Sequence, residues 1–274
     1  MMKYIRKQYY YYSIIVLIVL IILIVNIYYF LNAQNKLMNK VMQKHAKIFS
    51  TQIEEELTSI YKELIYIVNT EQLQLLLEKE DLDFKITGKL KLFYEKNNDI
   101  IKSIIVVNHR SQRIYYRDKG NYYHLSGINY IENFLNPLKY TEYIQYEKDY
   151  VEIIIPLKNQ NNKIDSNIKV LLDIKSYINQ QLKKYYIGGQ SWFFLINNEG
   201  QISTIFFEEE IPLHDVTVNG LTEIRKAIES GLDGSIIHTI SNHNKTHTLY
   251  SGFSVIRVFN KNFGVIISTE RDKI

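Results

Sequence analysis

The chain opens with a long stretch of uninterrupted apolar residues. Residues 9–31 carry no charge, and twelve consecutive aliphatic residues run from Ile14 to Val25. As a helix rising 1.5 Å per residue this stretch spans about 34 Å, which is enough to cross a bilayer. Tyrosines flank it on both sides, where aromatic side chains collect at membrane interfaces. The pattern predicts a transmembrane helix at 9–31, and no small-x-small site follows that would mark a cleaved signal peptide.

The charges beside this span do not decide its orientation. Three basic residues precede it and four lysines follow it soon after, and the positive-inside count is nearly balanced. Long domains translocate largely regardless of charge. We therefore expect a cytoplasmic tail at 1–8, a bulk that lies outside the cell, and residence in the inner or cytoplasmic membrane.

Beyond the span the apolar positions follow one another by threes and fours. The stripe consists of Met38, Met42, Ala46, Phe49, Ile53, Leu57, Ile60, Leu64 and Val68. Neither glycine nor proline occurs from Asn32 to Ile86, so one long helix is predicted over residues 32–80, with a second pattern capped by Thr70 near its end. Its apolar stripe needs a partner, either the chain's own domain or the same helix of a second copy.

The spacing then changes to that of strands. A helix at 83–97 precedes a predicted hairpin at 101–108 and 112–117, a helix near 128–135, and strands at 139–146, 149–157 and 168–174. After a helix at 175–186 the plan returns: a hairpin at 191–206, a helix near 220–229, and strands near 234–240, 246–257 and 263–269. These alternations predict an α+β fold.

The two halves repeat particular residues as well as the plan. Asn108 and Asn197, and likewise Gln112 and Gln201, correspond at an offset of 89, and "YVEIIIP" from Tyr150 is similar to "YSGFSVI" from Tyr250. Their shared order indicates an internal duplication of a unit of roughly 90 residues.

Composition narrows the functional classes. The net charge of +4 comes from 33 basic and 29 acidic residues spread along the chain, which is not the concentrated tract that nucleic-acid binding needs. The absence of cysteine excludes disulfides, thiolate metal sites and cysteine nucleophiles. We expect no nucleic-acid partner.

These features together resemble the double Cache region of bacterial transmembrane receptors, a pair of tandem PAS-like sheet modules outside the membrane. The segments that carry the resemblance are "YVEIIIPLKN", "NIKVLLDIKSYINQQLKKY", "SWFFLINNEGQIS" and "FGVIISTE". The resemblance implies a membrane-distal module at 81–175, a membrane-proximal module at 176–274, a small-molecule ligand in the distal module, and a homodimer.

The resemblance also implies an output that this sequence does not contain. The chain ends at Ile274 without a second apolar span, and no kinase box, nucleotide loop or cyclase motif occurs in it. We interpret it as the sensor part of a longer receptor, such as a sensor histidine kinase, chemoreceptor or diguanylate cyclase, or as a truncated, anchored relative. No enzymatic activity is expected within the chain.

In the family, an acid on the last strand of the distal module holds amine-bearing ligands. Asp173 in "VLLDIK" stands at that position, and a carboxylate in an apolar strand is costly to bury without a cationic partner. The alternative is that Asp173 caps the helix beginning near Lys175.

Opposite this acid, the resemblance places aromatic and arginine residues. The candidates in "RIYYRDKGNYYH" are Tyr115, Tyr116, Arg117, Tyr122 and Tyr123. Arginine can clamp a carboxylate with two hydrogen bonds. The tryptophan that the amino-acid-binding members place beside this arginine is missing here, because the only tryptophan, Trp192, lies in the second half.

Other suggestive residues point to no metal, cofactor or catalytic site. His238, His243 and His247 match no standard zinc spacing, and the acidic triplet at 208–210 lacks a visible partner for acid–base chemistry. The sequence therefore favours a ligand sensor that relays binding through helix displacement. The alternative is a membrane-anchored interaction or assembly module that binds no small molecule.

Overall fold

The computed structural model of this chain describes most of the sequence. The described residues are 2–69, 85–108, 113–118, 121–126, 143–147, 150–158, 164–185, 191–197, 199–207, 209–211, 213, 216–242, 245–259 and 261–271. Side chains at 106–149 are outside this description, so only backbone pairing is given for the strands there.

A single helix, α1 (Met2–Asn69), contains both the apolar span and the outgoing helix. Its N-terminal part is long and apolar enough to cross a membrane, with a mean hydropathy of 3.1 and none of the most apolar window buried. From Met42 to Val68 the apolar stripe is buried against the chain's own sheets, and Met38 is half-buried. Of the two partners that the sequence allowed for this stripe, the structure shows its own domain. The predicted helix end at residue 80 and the Thr70 cap lie outside the described residues.

The first sheet follows a short helix, α2 (Lys85–Lys96). Its strands are β1 (Ile101–Asn108), β2 (Arg113–Asp118), β3 (Asn121–Ser126), β4 (Tyr143–Glu147), β5 (Tyr150–Lys158) and β6 (Ile164–Asp173). They pair antiparallel in the order β3-β2-β1-β6-β5-β4. The sequence did not predict β3, and the helix predicted near 128–135 lies outside the described residues.

A connecting helix, α3 (Ile174–Lys184), leads to the second sheet. Its elements are β7 (Ser191–Ile196), β8 (Ile202–Phe207), β9 (Glu209–Ile211), β10 (Val216–Val218), α4 (Leu221–Glu229), β11 (Gly234–Asn242), β12 (Lys245–Val258) and β13 (Lys261–Glu270). The strand order is β10-β11-β12-β13-β7-β8-β9. The short strands β9 and β10 were not predicted.

Both sheets are built to the same plan. In each, the first hairpin (β1–β2, β7–β8) pairs with the last strand (β6, β13), which pairs in turn with the strand before it (β5, β12). The matched phrases from Tyr150 and Tyr250 begin β5 and lie within β12, which are equivalent strands. The α+β fold class is confirmed, and the shared topology is the one that an internal duplication predicts.

The repeated asparagine has a structural role in the second hairpin. Asn197 Oδ1 accepts hydrogen bonds from the backbone N–H groups of Glu199 at 3.1 Å and Gln201 at 2.9 Å. Gly200 completes the turn with φ of 73°, a left-handed conformation that favours glycine. The phrase "NNEGQ" therefore specifies the turn locally.

One face of each sheet packs against α1. A continuous apolar cluster joins the α1 stripe to Val151, Ile153 and Val170 of the first sheet and to Val265 and Ile267 of the second. A separate cluster covers the other face of the second sheet, under α4. Because side chains alternate along a strand, each sheet retains a face directed away from α1.

Candidate functional site

Asp173 ends β6 and begins α3. Its carboxylate accepts hydrogen bonds from the backbone N–H and the hydroxyl of Ser176, both at 2.9 Å. It is the N-cap residue of α3, and its own N–H donates to the carbonyl of Ile100 at 2.8 Å. The structure thus gives this carboxylate a capping role at a half-buried position, and its role as a ligand contact stays a prediction.

The register of the first sheet divides the six predicted ligand residues into two groups. Tyr116 pairs with Ile105 and Tyr123, and Ile105 pairs with Lys169. Arg117 pairs instead with Ile104 and Tyr122, and Ile104 pairs with the buried Val170. Since alternate positions lie on opposite sides of a sheet, Tyr116 and Tyr123 share register parity with Lys169 and Asp173.

The other register group contains the arginine. Tyr115 pairs with Val106, which pairs with the buried Ile168, so Tyr115, Arg117 and Tyr122 share parity with the strand positions that pack towards α1. A pocket on one face of the sheet would therefore draw on only one of the two groups. This division follows from backbone register alone.

An ion pair that sequence reasoning missed lies on the sheet face directed away from α1. The ammonium of Lys169, on β6, forms an ion pair with the carboxylate of Glu152, on β5. Glu152 is only 9% exposed, and its neighbours Val151 and Ile153 belong to the α1-facing core. Alternation therefore places Glu152 on the opposite face.

Further polar groups accompany this pair. Ser103, which pairs with Leu171 between Lys169 and Asp173, is 5% exposed. Tyr150 pairs with Asp173, and the ammonium of Lys102 lies 4.4 Å from the centre of the Tyr150 ring. The signal that could have revealed the pair was a single charge inside each apolar run, "YVEIIIP" and "NIKVLLD".

The second sheet buries polar groups of a different kind. Trp192 Nε1 donates to Glu270 Oε1 at 3.4 Å, and His247 Nδ1 lies 2.9 Å from the same oxygen. The Trp192 ring stacks on Phe194, whose ring meets His238 edge-on at 5.7 Å between centres. Trp192, Phe194, His238, His247 and Glu270 therefore form one set of aromatic and polar side chains in contact on this face.

His238 is buried without a hydrogen bond. It is 4% exposed, and neither ring nitrogen has a partner among the described residues. Burial lowers the pKa of His238 to about 4, and the backbone of Asn219, nearby but outside hydrogen-bonding geometry, opposes this shift only in part. The ring is therefore neutral at pH 7.

The two described histidines, His238 and His247, are not arranged together as metal ligands. His247 is paired with Glu270, His238 lies on the neighbouring strand, and His243 lies outside the described residues. Within the described parts of the chain, no group of three or more histidine, aspartate or glutamate residues is arranged to hold a metal ion.

Polar contacts tie α1 to the connecting helix. The hydroxyl of Tyr177 on α3 donates to the carboxylate of Glu56 on α1. Tyr185, at the end of α3, lies 3.3 Å from His45 Nδ1 through its hydroxyl and packs its ring on Phe49. Burial raises the pKa of Tyr185, so its hydroxyl stays protonated.

A second set of contacts ties α1 to β12. Ser50 and Ser254 share a buried hydrogen bond of 2.7 Å, and Lys47 forms a 2.9 Å ion pair with Asp233. Burial alone would raise the pKa of the Asp233 carboxyl, but hydrogen bonds from Ser254, Lys47 and the N–H of Val255 hold it below its ordinary value. These contacts fix α1 on the second sheet.

Solved structures share this arrangement of a long helix and two tandem antiparallel sheets. The periplasmic sensory domain of the Campylobacter jejuni chemoreceptor Tlp1 aligns with a TM-score of 0.55 at 15% identity, covering 85% of this chain and 95% of that one. Methyl-accepting Chemotaxis protein X aligns with a TM-score of 0.57 at 9% identity, covering 86% and 98%. The extracellular domain of mmHK1S-Z3, named as a histidine kinase, aligns with a TM-score of 0.52 at 10% identity, covering 87% and 94%.

The comparisons by sequence give no match: no family model fits the chain, and no curated protein matches it. At these identities the structural likeness establishes the fold. The fold implied by the double Cache resemblance, a long helix followed by two antiparallel sheets, is confirmed, and it is similar to that of sensory domains of chemoreceptors and histidine kinases.

Proposed function

We propose that this chain is the extracytoplasmic sensing region of a membrane-anchored bacterial signalling receptor, and that it binds a small amine-bearing molecule against its first sheet. The observation that carries the proposal is the Glu152–Lys169 pair on the face directed away from α1. Burying the Glu152 carboxylate beside a partly exposed lysine costs desolvation that an apolar residue of similar size would avoid. Binding sites are where a few such polar groups are placed in an apolar surface.

The two carboxylates on this face are the groups we assign to a ligand ammonium, and the ammonium groups of Lys169 and Lys102 lie beside them. Glu152 and Asp173 are acids on neighbouring strands, with the Lys169 ammonium beside Glu152. A ligand amine would donate hydrogen bonds to the two carboxylates. Tyr116 and Tyr123 share register parity with this set and are the aromatic residues that we assign to the site.

The route from this site to the membrane begins at Asp173. A ligand amine competes with Ser176 for the carboxylate that caps α3. Tyr177 and Tyr185 connect α3 to Glu56 and His45 of α1. Binding therefore changes the position of α3 against α1 to the extent that the ligand prefers one arrangement over the other.

The alternative function, an anchored interaction module, combined a protein-binding surface on the two modules with dimerisation through the apolar stripe of α1 from Met38 to Val68. That stripe is covered by the chain's own sheets from Met42 to Val68. The predicted homodimer, and a receptor output such as a kinase or cyclase, stay predictions.

The test is thermal unfolding of the full chain in detergent micelles with a panel of amines, amino acids and organic acids. A bound ligand at a hundred times its dissociation constant stabilises the protein by about 2.7 kcal/mol, which raises the midpoint by about 5–10 °C. We expect shifts only from ligands that carry an amine. A shift from organic acids alone would contradict the assignment of Glu152 and Asp173.

Two double variants distinguish a loss of ligand binding from a general loss of stability. Replacing both partners in the double variant Glu152→Gln, Lys169→Met avoids leaving a lone buried charge and should abolish the ligand-induced shift. The matched control is Glu63→Gln, Lys96→Met, which removes the exposed 2.7 Å pair between α1 and α2 and should leave the shift intact. Equal shifts in both double variants would remove the ion pair from the site.

Asp173 needs its own pair of variants because it has two roles. Asp173→Asn keeps a capping oxygen and loses the charge, whereas Asp173→Ala loses both and costs about 1 kcal/mol of stability. Ligand binding should be lost in both variants. Retained binding in Asp173→Asn would show that the residue serves only as a cap.

A further inference from the structure

The described end of the β11–β12 hairpin, at Asn242 and Lys245, lies close to the level at which α1 leaves the membrane. The hydroxyl of Tyr250, on β12, donates to Asn35 Oδ1 of α1. Asn35 is four residues beyond Leu31, the last residue of the apolar span, so Tyr250 stands only about 6 Å above the end of that span.

The hairpin continues from Tyr250 towards the membrane. Along β12, Tyr250, Ser254 and then Arg257 contact Asn35, Ser50 and Glu54 of α1 in turn, so strand and helix run in the same direction. β12 begins at Lys245, paired with Asn242 of β11. Five residues at about 3.4 Å each carry this end up to about 17 Å past Tyr250, which is more than the roughly 6 Å between Tyr250 and the level of Leu31, so β12 begins at or beyond that level.

Exposed basic residues surround this end of the protein. Lys36 and Lys40 lie on the outer side of α1, Lys245 begins β12, and Arg271 follows β13. We call these four residues the basic collar. Among the described residues at this level, the acid is Glu270, which is only 7% exposed and is paired with His247, so its carboxylate does not neutralise the collar at the surface.

We propose that the basic collar binds the headgroups of anionic phospholipids in the leaflet from which α1 emerges. Lys36 stands about 7.5 Å above Leu31 along the helix, which is within the screening length of about 8 Å at physiological salt. Lys245 reaches the same layer from the sheet side. The second sheet would therefore rest on the membrane surface through charge, with α1 and the hairpin as two separate contacts. The proposal depends on the membrane crossing of α1 and not on the ligand site.

The experiment uses the full chain in lipid nanodiscs, either zwitterionic or with a third of the lipid anionic. The chain has no cysteine, so a spin label at Thr246→Cys reports on the hairpin alone, since Thr246 is exposed beside Lys245. The control label is at Leu232→Cys, which is 60% exposed. Leu232 adjoins Asp233, the partner of Lys47, about 24 Å beyond Leu31 along α1.

Relaxation by nickel chelated to lipid headgroups measures the distance of each label from the membrane. We expect strong relaxation at residue 246, at least twofold stronger in anionic nanodiscs, and weak relaxation at residue 232 in both. High salt should remove the difference in relaxation of label 246 between anionic and zwitterionic nanodiscs. The combined variant Lys36→Gln, Lys40→Gln, Lys245→Gln, Arg271→Gln should do the same. The proposal is overturned if label 246 is as remote as label 232, or if the two membranes give equal relaxation at low salt.

Discussion

Among the described glycines, Gly252 marks the closest approach to another backbone, that of β12 to α1. A Cβ atom at this position would lie 2.1 Å from the carbonyl carbon and oxygen of Met42 and 2.2 Å from the nitrogen of Gln43. These are backbone atoms of a helix, which no rotamer change can move. The substitution Gly252→Ala therefore tests whether α1 is seated on the second sheet as described.

The expected cost follows from how far α1 must move. Ordinary contact begins at 3.4 Å, so the helix must recede by about 1.3 Å, the difference between 3.4 Å and 2.1 Å. Overpacking of this kind costs about 1–3 kcal/mol. The same movement stretches the buried 2.7 Å hydrogen bond between Ser50 and Ser254 beyond bonding range, for about 1 kcal/mol more. The sum is about 3 kcal/mol, which lowers the midpoint by about 6–12 °C.

The assay is thermal unfolding of the full chain in micelles, followed by the fluorescence of Trp192, the only tryptophan. Gly264→Ala is the matched control in the same sheet, because its Cβ meets the Cδ1 of Ile228 at 2.2 Å. That atom ends a flexible side chain, so the expected loss is only about 1 kcal/mol. A Gly252→Ala protein as stable as wild type, or more stable than Gly264→Ala, would refute the close approach of α1 to β12.

Two further predictions concern buried polar groups. The pKa of His238 is lowered to about 4 in the folded protein and is about 6.5 when the chain is unfolded. Because only the unfolded chain takes up this proton between about pH 6.5 and 4, the free energy of unfolding falls by about 3 kcal/mol as the pH drops through this range. Urea unfolding at pH 7.5 and pH 4.5 should show this loss, and His238→Leu should reduce it; an unchanged pH dependence in the variant would assign the loss to other groups. Tyr177→Phe removes the hydroxyl that donates to Glu56 and should cost about 2 kcal/mol, whereas Tyr66→Phe, at a side chain 73% exposed, should cost nothing measurable by the same urea titration. Equal stability of the two tyrosine variants would contradict a contribution of the Tyr177–Glu56 hydrogen bond.

Much of the architecture was predictable because it is written in local spacing. The apolar run at 9–31, the stripe on α1 and the alternation in most strands are short-range patterns, each tied to the geometry of one element. The turn at Asn197 and Gly200 is equally local, since the asparagine bonds the backbone within four residues. The strand β3 was missed because its polar sequence, "NYYHLS", is paired only on one side, at the edge of the sheet.

The candidate site was harder to predict because it depends on register. Asp173, Tyr116 and Arg117 looked equivalent in sequence, yet pairing with Ile105 or Ile104 assigns the two β2 residues to opposite parities. Glu152 and Lys169 are 17 positions apart and gain meaning only where β5 lies beside β6. A shift of one residue in that pairing would move each of them to the other face.

The sequence by itself determined the elements of this protein: a membrane-crossing helix, its amphipathic continuation and two similar sheets. These follow from periodicities that each segment carries alone. Only the tertiary structure determined which elements contact one another, because burial and strand pairing bring together residues that are distant in the chain. It placed the α1 stripe on the chain's own sheets, paired the buried Glu152 with Lys169, and brought the backbone of Met42 against Gly252. Those contacts depend on the strand order and on where α1 packs against the sheets, and no local sequence pattern specifies either.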